Sequence, residues 1–150
     1  MDRRRGEGVT EARVRIAPAQ WDELLRSAKA VRARAYAPYS RYHVGAALLT
    51  KGGVFAGCNV ENATYGATIC AERAAITAMV AAGQRAPMAC AVVTSGPEPG
   101  APCGICRQVL AEFAEDLPVL LVAVGARGAV TAKERTTLRA LLPRAFRLRA

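Results

Sequence analysis

Three cysteines stand at spacings that suit a metal centre. Cys103 and Cys106 are separated by two residues, so both thiols can reach one cation, and Cys70 supplies a third thiol from far upstream. Structural zinc is closed by four protein ligands, whereas three ligands leave a coordination position for water. The sequence therefore predicts a catalytic zinc site, one ion per chain, with Cys70, Cys103 and Cys106 as ligands.

Two charged residues beside the first cysteine fit the same chemistry. Glu72 follows Cys70 by two positions, and from a helix start it can reach the metal's water as a general acid and base without binding the metal. Three thiolates give the zinc site a net negative charge, which weakens a Lewis acid. A guanidinium at Arg73 that hydrogen-bonds the sulfurs would offset this charge. Both thiol groups begin predicted helices, whose positive ends favour thiolates.

Other uses of these thiols remain open from the residues alone. A C-x-x-C redox pair would leave Cys70 and Glu72 unexplained. A structural zinc site, or a zinc-stabilised scaffold without catalysis, needs a fourth ligand, and the only histidine, His43, lies in a predicted strand. Cys58 and Cys90 lie in apolar strand segments, and we interpret them as ordinary buried thiols.

Length and composition predict a globular protein. The chain has 150 residues, of which 52% are hydrophobic and 22% charged, a balance that excludes fibrous and disordered classes. No apolar stretch approaches the ~20 residues that cross a bilayer, and the N-terminus lacks the apolar core of a secretory signal. An odd number of cysteines, five, does not indicate a disulfide framework. We therefore expect a cytoplasmic protein without a membrane partner.

The formal net charge of +9 raises the possibility of nucleic-acid binding. The arginines concentrate at the two ends of the chain and are not interleaved with aromatic residues that would stack bases. Nucleic acid is therefore not expected as a partner. Residues 1–16 are predicted to form a flexible basic tail, ahead of a single domain over residues 17–150.

Hydrophobic periodicity and turn signals predict an α/β fold, a three-layer α/β/α sandwich with a mixed five-stranded sheet. The near-continuous apolar run at 119–124 predicts a strand buried on both faces. Helices are predicted over residues 18–35, 70–82 and 104–114, with a helical turn at 137–142. Strands are predicted over residues 42–50, 54–60, 90–94, 119–124 and 129–132.

Several stretches of the chain carry a resemblance to a known family. They read YAPYSRYHVGAALL, GCNVENATYG, TICAERAAI and PCGICRQVLAEF, span roughly residues 36–114, and have a weaker echo in LLPRAF. Cys-x-Glu followed by Pro-Cys-x-x-Cys matches the signature of zinc-dependent nucleobase and nucleoside deaminases. With cysteine in the first slot, at Cys70, the chain resembles the homotetrameric zinc-dependent cytidine deaminases, within the cytidine/deoxycytidylate deaminase superfamily.

The resemblance implies hydrolysis of cytidine and deoxycytidine to uridine and deoxyuridine with release of ammonia, in pyrimidine salvage. It matches the three cysteines to the zinc ligands and Glu72 to the proton shuttle. It also matches Asn59 and Glu61 to the pair that holds the ribose hydroxyls of a nucleoside. An amide and a carboxylate two residues apart on a strand end face the same way and suit such hydroxyls. The alternative, an Asx turn at Asn59, leaves Glu61 without a role.

The resemblance also assigns residues around the base and at subunit boundaries. Tyr42 stands where the family usually has a phenylalanine near the pyrimidine, and its hydroxyl needs a partner. Backbone groups of Ala71 and Cys103 are expected to contact the base edge or the leaving amine. Tyr65 and Phe146 are expected to act across an interface, in a homotetramer whose active sites are shared between subunits.

Two related activities share part of this pattern. Deaminases of aminonucleoside antibiotics share the zinc motifs but need a different segment from the Asn59–Asn62 run, NVEN. The positive charge would suit a deaminase of polynucleotides, but no basic and aromatic channel accompanies the metal motifs. The sequence does not decide between ribose and deoxyribose.

Overall fold

A five-stranded mixed sheet organises residues 15–148, the part of the chain that the computed structural model describes. Residues 1–14 of the predicted tail lie outside the described residues. In chain order the elements are α1 (Pro18–Arg32), β1 (Gly45–Thr50), β2 (Gly53–Cys58), a 3-10 turn (Tyr65–Ala67), α2 (Ala71–Ala81), β3 (Ala89–Ser95), α3 (Gly104–Phe113), β4 (Pro118–Val124), β5 (Val130–Thr137) and α4 (Leu138–Leu141).

The strands lie in the order β2-β1-β3-β4-β5. β3 and β4 are parallel, and the other neighbouring pairs are antiparallel. α2 precedes β3 and α3 follows it, so both helices begin near the carboxyl end of β3. In an open sheet of this kind the crevice beyond a strand's carboxyl end is where ligands bind.

Side chains on the central strands alternate between two apolar layers, as the pleat of a strand requires. On β3, Ala91 and Val93 pack with α1, whereas Cys90 and Val92 pack with the opposite layer of helices α2 and α3. β4 is buried along nearly its whole length, as the apolar run predicts. The three-layer α/β/α architecture with a five-stranded mixed sheet is thereby confirmed.

β2 ends at Cys58 rather than at residue 60, since Val60 forms isolated bridges with Tyr36 and Ile69 instead. Two other boundaries differ by three residues from the sequence prediction because the chain pairs elsewhere. α1 ends at Arg32 rather than near residue 35, since the Tyr36 amide donates to the Asn59 carbonyl at 3.0 Å and draws the chain into extended conformation. β1 begins at Gly45 rather than at residue 42, since the Asn59 side chain bonds the backbone of residues 42–44 instead.

The last strand is longer than predicted. Its eight residues, Val130–Thr137, pair antiparallel with β4, whereas the sequence indicated only residues 129–132. β5 is an edge strand carrying exposed charges, which is how natural sheets protect an edge, so hydrophobic alternation is absent from its sequence. The Arg135 guanidinium lies 4.5 Å from the ring centre of Trp21, a cation–π contact that ties β5 to α1.

No helix among residues 15–148 combines the length and the apolar character needed to span a membrane.

Gly57 on β2 lets the sheet approach α2 at the point where the site is built. A β-carbon at Gly57 would lie 2.7 Å from the Ala71 carbonyl oxygen, which is fixed helix backbone. Because neither backbone can yield without shifting the start of α2, any larger side chain must move Cys70 and Glu72.

We expect Gly57→Ala to lower the free energy of unfolding by about 2–3 kcal/mol through overpacking, measured by urea denaturation. Gly125→Ala is the matched control, because a β-carbon there meets its nearest neighbour, Thr131 Cγ2, at an ordinary 3.5 Å. Equal midpoints for the two variants would contradict the close approach of β2 and α2.

Candidate active site

The three cysteines predicted as ligands come together between the starts of α2 and α3. Their sulfur atoms all lie within 4.8 Å of one another, and those of Cys70 and Cys103 are 3.9 Å apart. Four ligands around zinc at about 2.3 Å place sulfurs roughly 3.8 Å apart, so the cluster fits a tetrahedral ion. Within residues 15–148 no fourth side chain of a ligating type joins the cluster, and His43 is not part of it. The donor set therefore fits zinc with one open position.

Local chain conformation explains how the thiols reach one point. Cys70 and Cys103 are the N-cap residues of α2 and α3, each with extended backbone, and Cys106 lies in the first turn of α3. Hydrogen bonding from the Cys106 thiol, then from Arg73 and Cys103, lowers the pKa of Cys70 to about 5, whereas the same pairing raises the pKa of Cys106. The lowered pKa of Cys70 favours the thiolate, the form that binds a cation.

Arg73 is positioned to balance the charge of the sulfurs. Its Nη2 donates to the Thr68 carbonyl at 2.8 Å and lies 3.9 Å from Cys70 Sγ, and hydrogen bonding to Cys70 raises the pKa of Arg73. Arg73 Nε is buried without a hydrogen-bond partner. The guanidinium is therefore held by the Thr68 carbonyl within hydrogen-bonding distance of the Cys70 sulfur, a position compatible with the predicted offset of the thiolate charge.

Glu72 is a buried carboxyl group beside the sulfur cluster. Its side chain is only 4% exposed and lines one cavity with Cys70 and Cys103. Burial raises the pKa of Glu72, and the negative charge of Cys70 adds to the effect. A carboxyl group whose pKa is raised towards neutrality can both accept and donate a proton.

This cavity has a volume of about 250 Å³ and extends from the cysteine cluster to most of the residues predicted to bind substrate. Thr94 and Ala101 also line it, near the end of β3. The predicted site residues that line it are Tyr42, Asn59, Glu61, Cys70, Ala71, Glu72 and Cys103.

Asn59 and Glu61 are held rigidly at the cavity mouth. Asn59 accepts from the Val44 amide and donates to the Tyr42 carbonyl, both at 2.8 Å. Glu61 accepts from the amides of Tyr39 and Ser40 at 2.9 and 3.2 Å and from the Ser40 hydroxyl. The Ser40 hydrogen bond lowers the pKa of Glu61, so its carboxylate stays charged. The Asn59 side chain thus bonds the 42–44 segment across the site and forms no Asx turn.

Tyr65 and Phe146 do not reach the cavity within the single chain. Tyr65 is 78% exposed and packs edge-on to Tyr39, with ring centres 6.3 Å apart. Phe146 is 69% exposed, while the Gln108 side chain bonds both its amide and its carbonyl, at 3.2 and 2.7 Å. Both aromatic residues are therefore largely exposed, and the backbone of Phe146 is anchored. Of the remaining cysteines, Cys90 is buried as predicted, and Cys58 is only partly buried.

Sequence reasoning missed Arg107, which supports the metal loop. Its Nε donates to the Pro102 carbonyl at 2.7 Å, one residue before the ligand Cys103, and its Nη1 donates to the Leu141 carbonyl at 2.8 Å. Ser40, which fixes Glu61, was missed as well. Arg107 directly follows Cys106, so its place in the helix turn that carries a ligand was a usable signal. The contact of Ser40 with Glu61 joins distant segments, so the local sequence carried no signal for it.

We expect Arg107→Ala to speed zinc release to a chelator by about tenfold, because lost outer contacts commonly weaken metal binding by that factor or more. Exposed Arg144 provides the control Arg144→Ala, which should release zinc at the original rate. Equal release from both variants, with circular dichroism unchanged, would show that the Pro102 contact does not hold the loop.

Comparison with known proteins agrees with this geometry. Residues 19–121 match the model of the family described as the cytidine and deoxycytidylate deaminase zinc-binding region. The chain is 45% identical over 127 residues to a cytidine deaminase of Sporosarcina psychrophila, covering 83% of this chain and 90% of the relative.

Solved structures give the same result. The crystal structure of cytidine deaminase from Burkholderia pseudomallei superposes with a TM-score of 0.73 at 49% identity, covering 83% of this chain and 98% of that one. For cytidine deaminase from Mycobacterium tuberculosis the TM-score is 0.70 at 40% identity, covering 85% and 98%. The chain belongs to the cytidine and deoxycytidylate deaminase family of zinc-binding proteins.

Proposed function

We propose that the chain is a zinc-dependent hydrolase that converts cytidine and deoxycytidine to uridine and deoxyuridine with release of ammonia. The observation that carries this proposal is the shared cavity, in which a buried, non-ligating Glu72 lies beside three convergent thiols. The names of the relatives, all cytidine deaminases among those given above, support the choice of substrate.

Cys70, Cys103 and Cys106 would hold one zinc ion per chain. When bound with three protein ligands, zinc supplies Lewis acidity that makes water a nucleophile near neutral pH. Arg73 keeps that acidity high by offsetting the charge of the thiolates.

Glu72 moves the protons of the reaction. Its carboxylate takes a proton from the attacking water and delivers it to N3 of the pyrimidine, which makes C4 electrophilic. It then takes the remaining proton from the hydroxyl on C4 and passes it to the departing amine. The C4 carbonyl forms as the C–N bond breaks, and ammonia leaves as a neutral molecule. Burial at 4% exposure keeps bulk water from competing for these protons.

The unused hydrogen-bonding capacity of Asn59 and Glu61 suits a sugar hydroxyl. Asn59 uses one of its two N–H donors and one lone pair of its oxygen, and Glu61 keeps a lone pair free on the oxygen that Ser40 Oγ contacts. A hydroxyl that accepts from Asn59 and donates to Glu61 satisfies both. Ribose and 2′-deoxyribose each offer such a group at the 3′ position.

Tyr42 and Ala71 are proposed to contact the base. The Tyr42 ring lines the cavity and can pack against a pyrimidine. Ala71 is the first residue of α2, where an amide has no partner inside the helix and can donate to the base edge. A backbone group of Cys103, at the start of α3, completes this contact with the base or the leaving amine.

The proposal also covers the oligomeric state, the catalytic domain and the cellular compartment of the protein. Exposed Tyr65 and Phe146 support a homotetramer in which these rings enter the site of a neighbouring subunit, with residues 17–150 forming one catalytic domain. Sites built from reduced thiols suit the cytoplasm, where the reaction would serve pyrimidine salvage. Sedimentation as a monomer at micromolar concentration would contradict the assembly.

The direct test is the turnover of cytidine by the zinc-loaded protein, followed by ultraviolet absorbance with uridine and ammonia identified as products. Stoichiometric formation of both supports the proposal. No turnover of cytidine or deoxycytidine by protein that holds one zinc per chain would overturn it.

Glu72→Gln should lower kcat by about 10³-fold, the size expected for losing a general acid and base, while zinc content stays at one per chain. The amide keeps the shape of the side chain but cannot shuttle protons. Elemental analysis of zinc accompanies the kinetic assay, and comparable kcat with full zinc would remove Glu72 from the mechanism.

Glu61→Gln should raise KM for cytidine about tenfold and change kcat little, because a charged acceptor for the sugar hydroxyl is lost. Glu112→Gln, the same change at an exposed position of α3, serves as control. If KM rises equally in both variants, or if only kcat falls at residue 61, the sugar contact is wrong.

A further inference from the structure

We propose that Gly100 is a positioning residue that sets the affinity for the nucleoside by leaving room for the Tyr42 hydroxyl. The inference rests on the proposed function and deepens it, since it concerns the wall against which the base would pack.

The two residues meet where the loop after β3 closes one side of the cavity. A β-carbon at Gly100 would lie only 2.6 Å from Tyr42 Oη, so the phenol end occupies the space that a side chain at residue 100 would need. The same β-carbon would lie 3.1 Å from Thr94 Cγ2 and 3.2 Å from Thr94 Oγ1, which are also close contacts but longer than the one with Tyr42 Oη.

The loop itself cannot easily withdraw from Tyr42. The Gly100 amide donates to Thr94 Oγ1 at 2.9 Å, and Thr94 is buried at the end of β3 with 3% exposure. The backbone of Gly100 is therefore held in place next to the Tyr42 hydroxyl.

Backbone conformation does not explain the glycine. Gly100 is absent from the residues with positive φ in the described chain, which include Gly96 and Gly128. An alanine at residue 100 can adopt the same backbone. The space taken by Tyr42 is thus the constraint on this position.

A larger side chain at residue 100 would displace the ring of Tyr42 rather than its backbone. Its backbone is held on both sides, since the Tyr42 amide donates to Ser40 Oγ at 3.0 Å and its carbonyl accepts from Asn59 Nδ2 at 2.8 Å. The side chain is 42% exposed and free to swing. A larger residue at position 100 would therefore shift the ring across the cavity mouth, without disturbing the core, the thiols or Glu72.

The test compares four chains with the unaltered protein: Gly100→Ala, Tyr42→Phe, the double variant, and Gly125→Ala as a control glycine outside the cavity. KM and kcat for cytidine are measured together with zinc content and thermal unfolding. Uridine binding by calorimetry repeats the comparison without turnover.

We expect Gly100→Ala to raise KM about tenfold, the scale of a misfit of one carbon in a pocket, with kcat, zinc content and thermal unfolding unchanged. In the Tyr42→Phe background the same change should have no effect on KM, because the clashing oxygen is gone. If Gly100→Ala alone prevents folding, recovery in the double variant supports the same contact.

An unchanged KM in Gly100→Ala overturns the proposal. An equal rise in KM with tyrosine or with phenylalanine at residue 42 also overturns it, because the effect would then come from the loop and Thr94. A double variant that does not fold overturns it as well. If the unaltered protein binds uridine but does not turn over cytidine, the proposed chemistry is refuted instead. The uridine affinities of the variants would then still test the contact between Gly100 and Tyr42.

Discussion

Everything at the site depends on two helices beginning at the same end of one strand. α2 and α3 both start beyond the carboxyl end of β3, and each is preceded by a cysteine with extended backbone. Free amides and the positive ends of two helix dipoles meet there, an environment that favours anionic sulfur. Three thiols thus converge at the starts of two helices, and Glu72 enters the site from the first turn of α2.

The substrate side of the cavity is organised differently, by side chains that replace backbone pairing. The Asn59 side chain forms hydrogen bonds with two backbone groups of the 42–44 segment, and the Glu61 carboxylate accepts from the amides of residues 39 and 40. Each polar group is thereby oriented before any ligand binds, and each keeps some hydrogen-bonding capacity in reserve. Preorganised groups of this kind lose little conformational entropy when a ligand arrives.

Local sequence patterns predicted the layers, the starts of α2 and α3, and the cysteine cluster, because spacing and periodicity are properties of nearby residues. They did not predict the length of β5, whose exposed edge position removes the apolar signal. Nor did they predict the contacts of Arg107 with Leu141 and of Gly100 with Tyr42, which join segments far apart in sequence. One basic residue near the C-terminus, Arg147, caps the carbonyls of Ala111 and Ala114 at the end of α3, a structural use of charge that composition alone did not indicate.

The position of Trp21 gives the protein a built-in optical reporter. It is the only tryptophan in the sequence, it is 7% exposed, and it lies on the face of the sheet opposite the thiol cluster, beneath Arg135. Its emission therefore follows the docking of α1 and β5 on the sheet. Loss of metal on the other face would leave that emission unchanged as long as the scaffold stays folded, so fluorescence separates disassembly of the fold from events at the site.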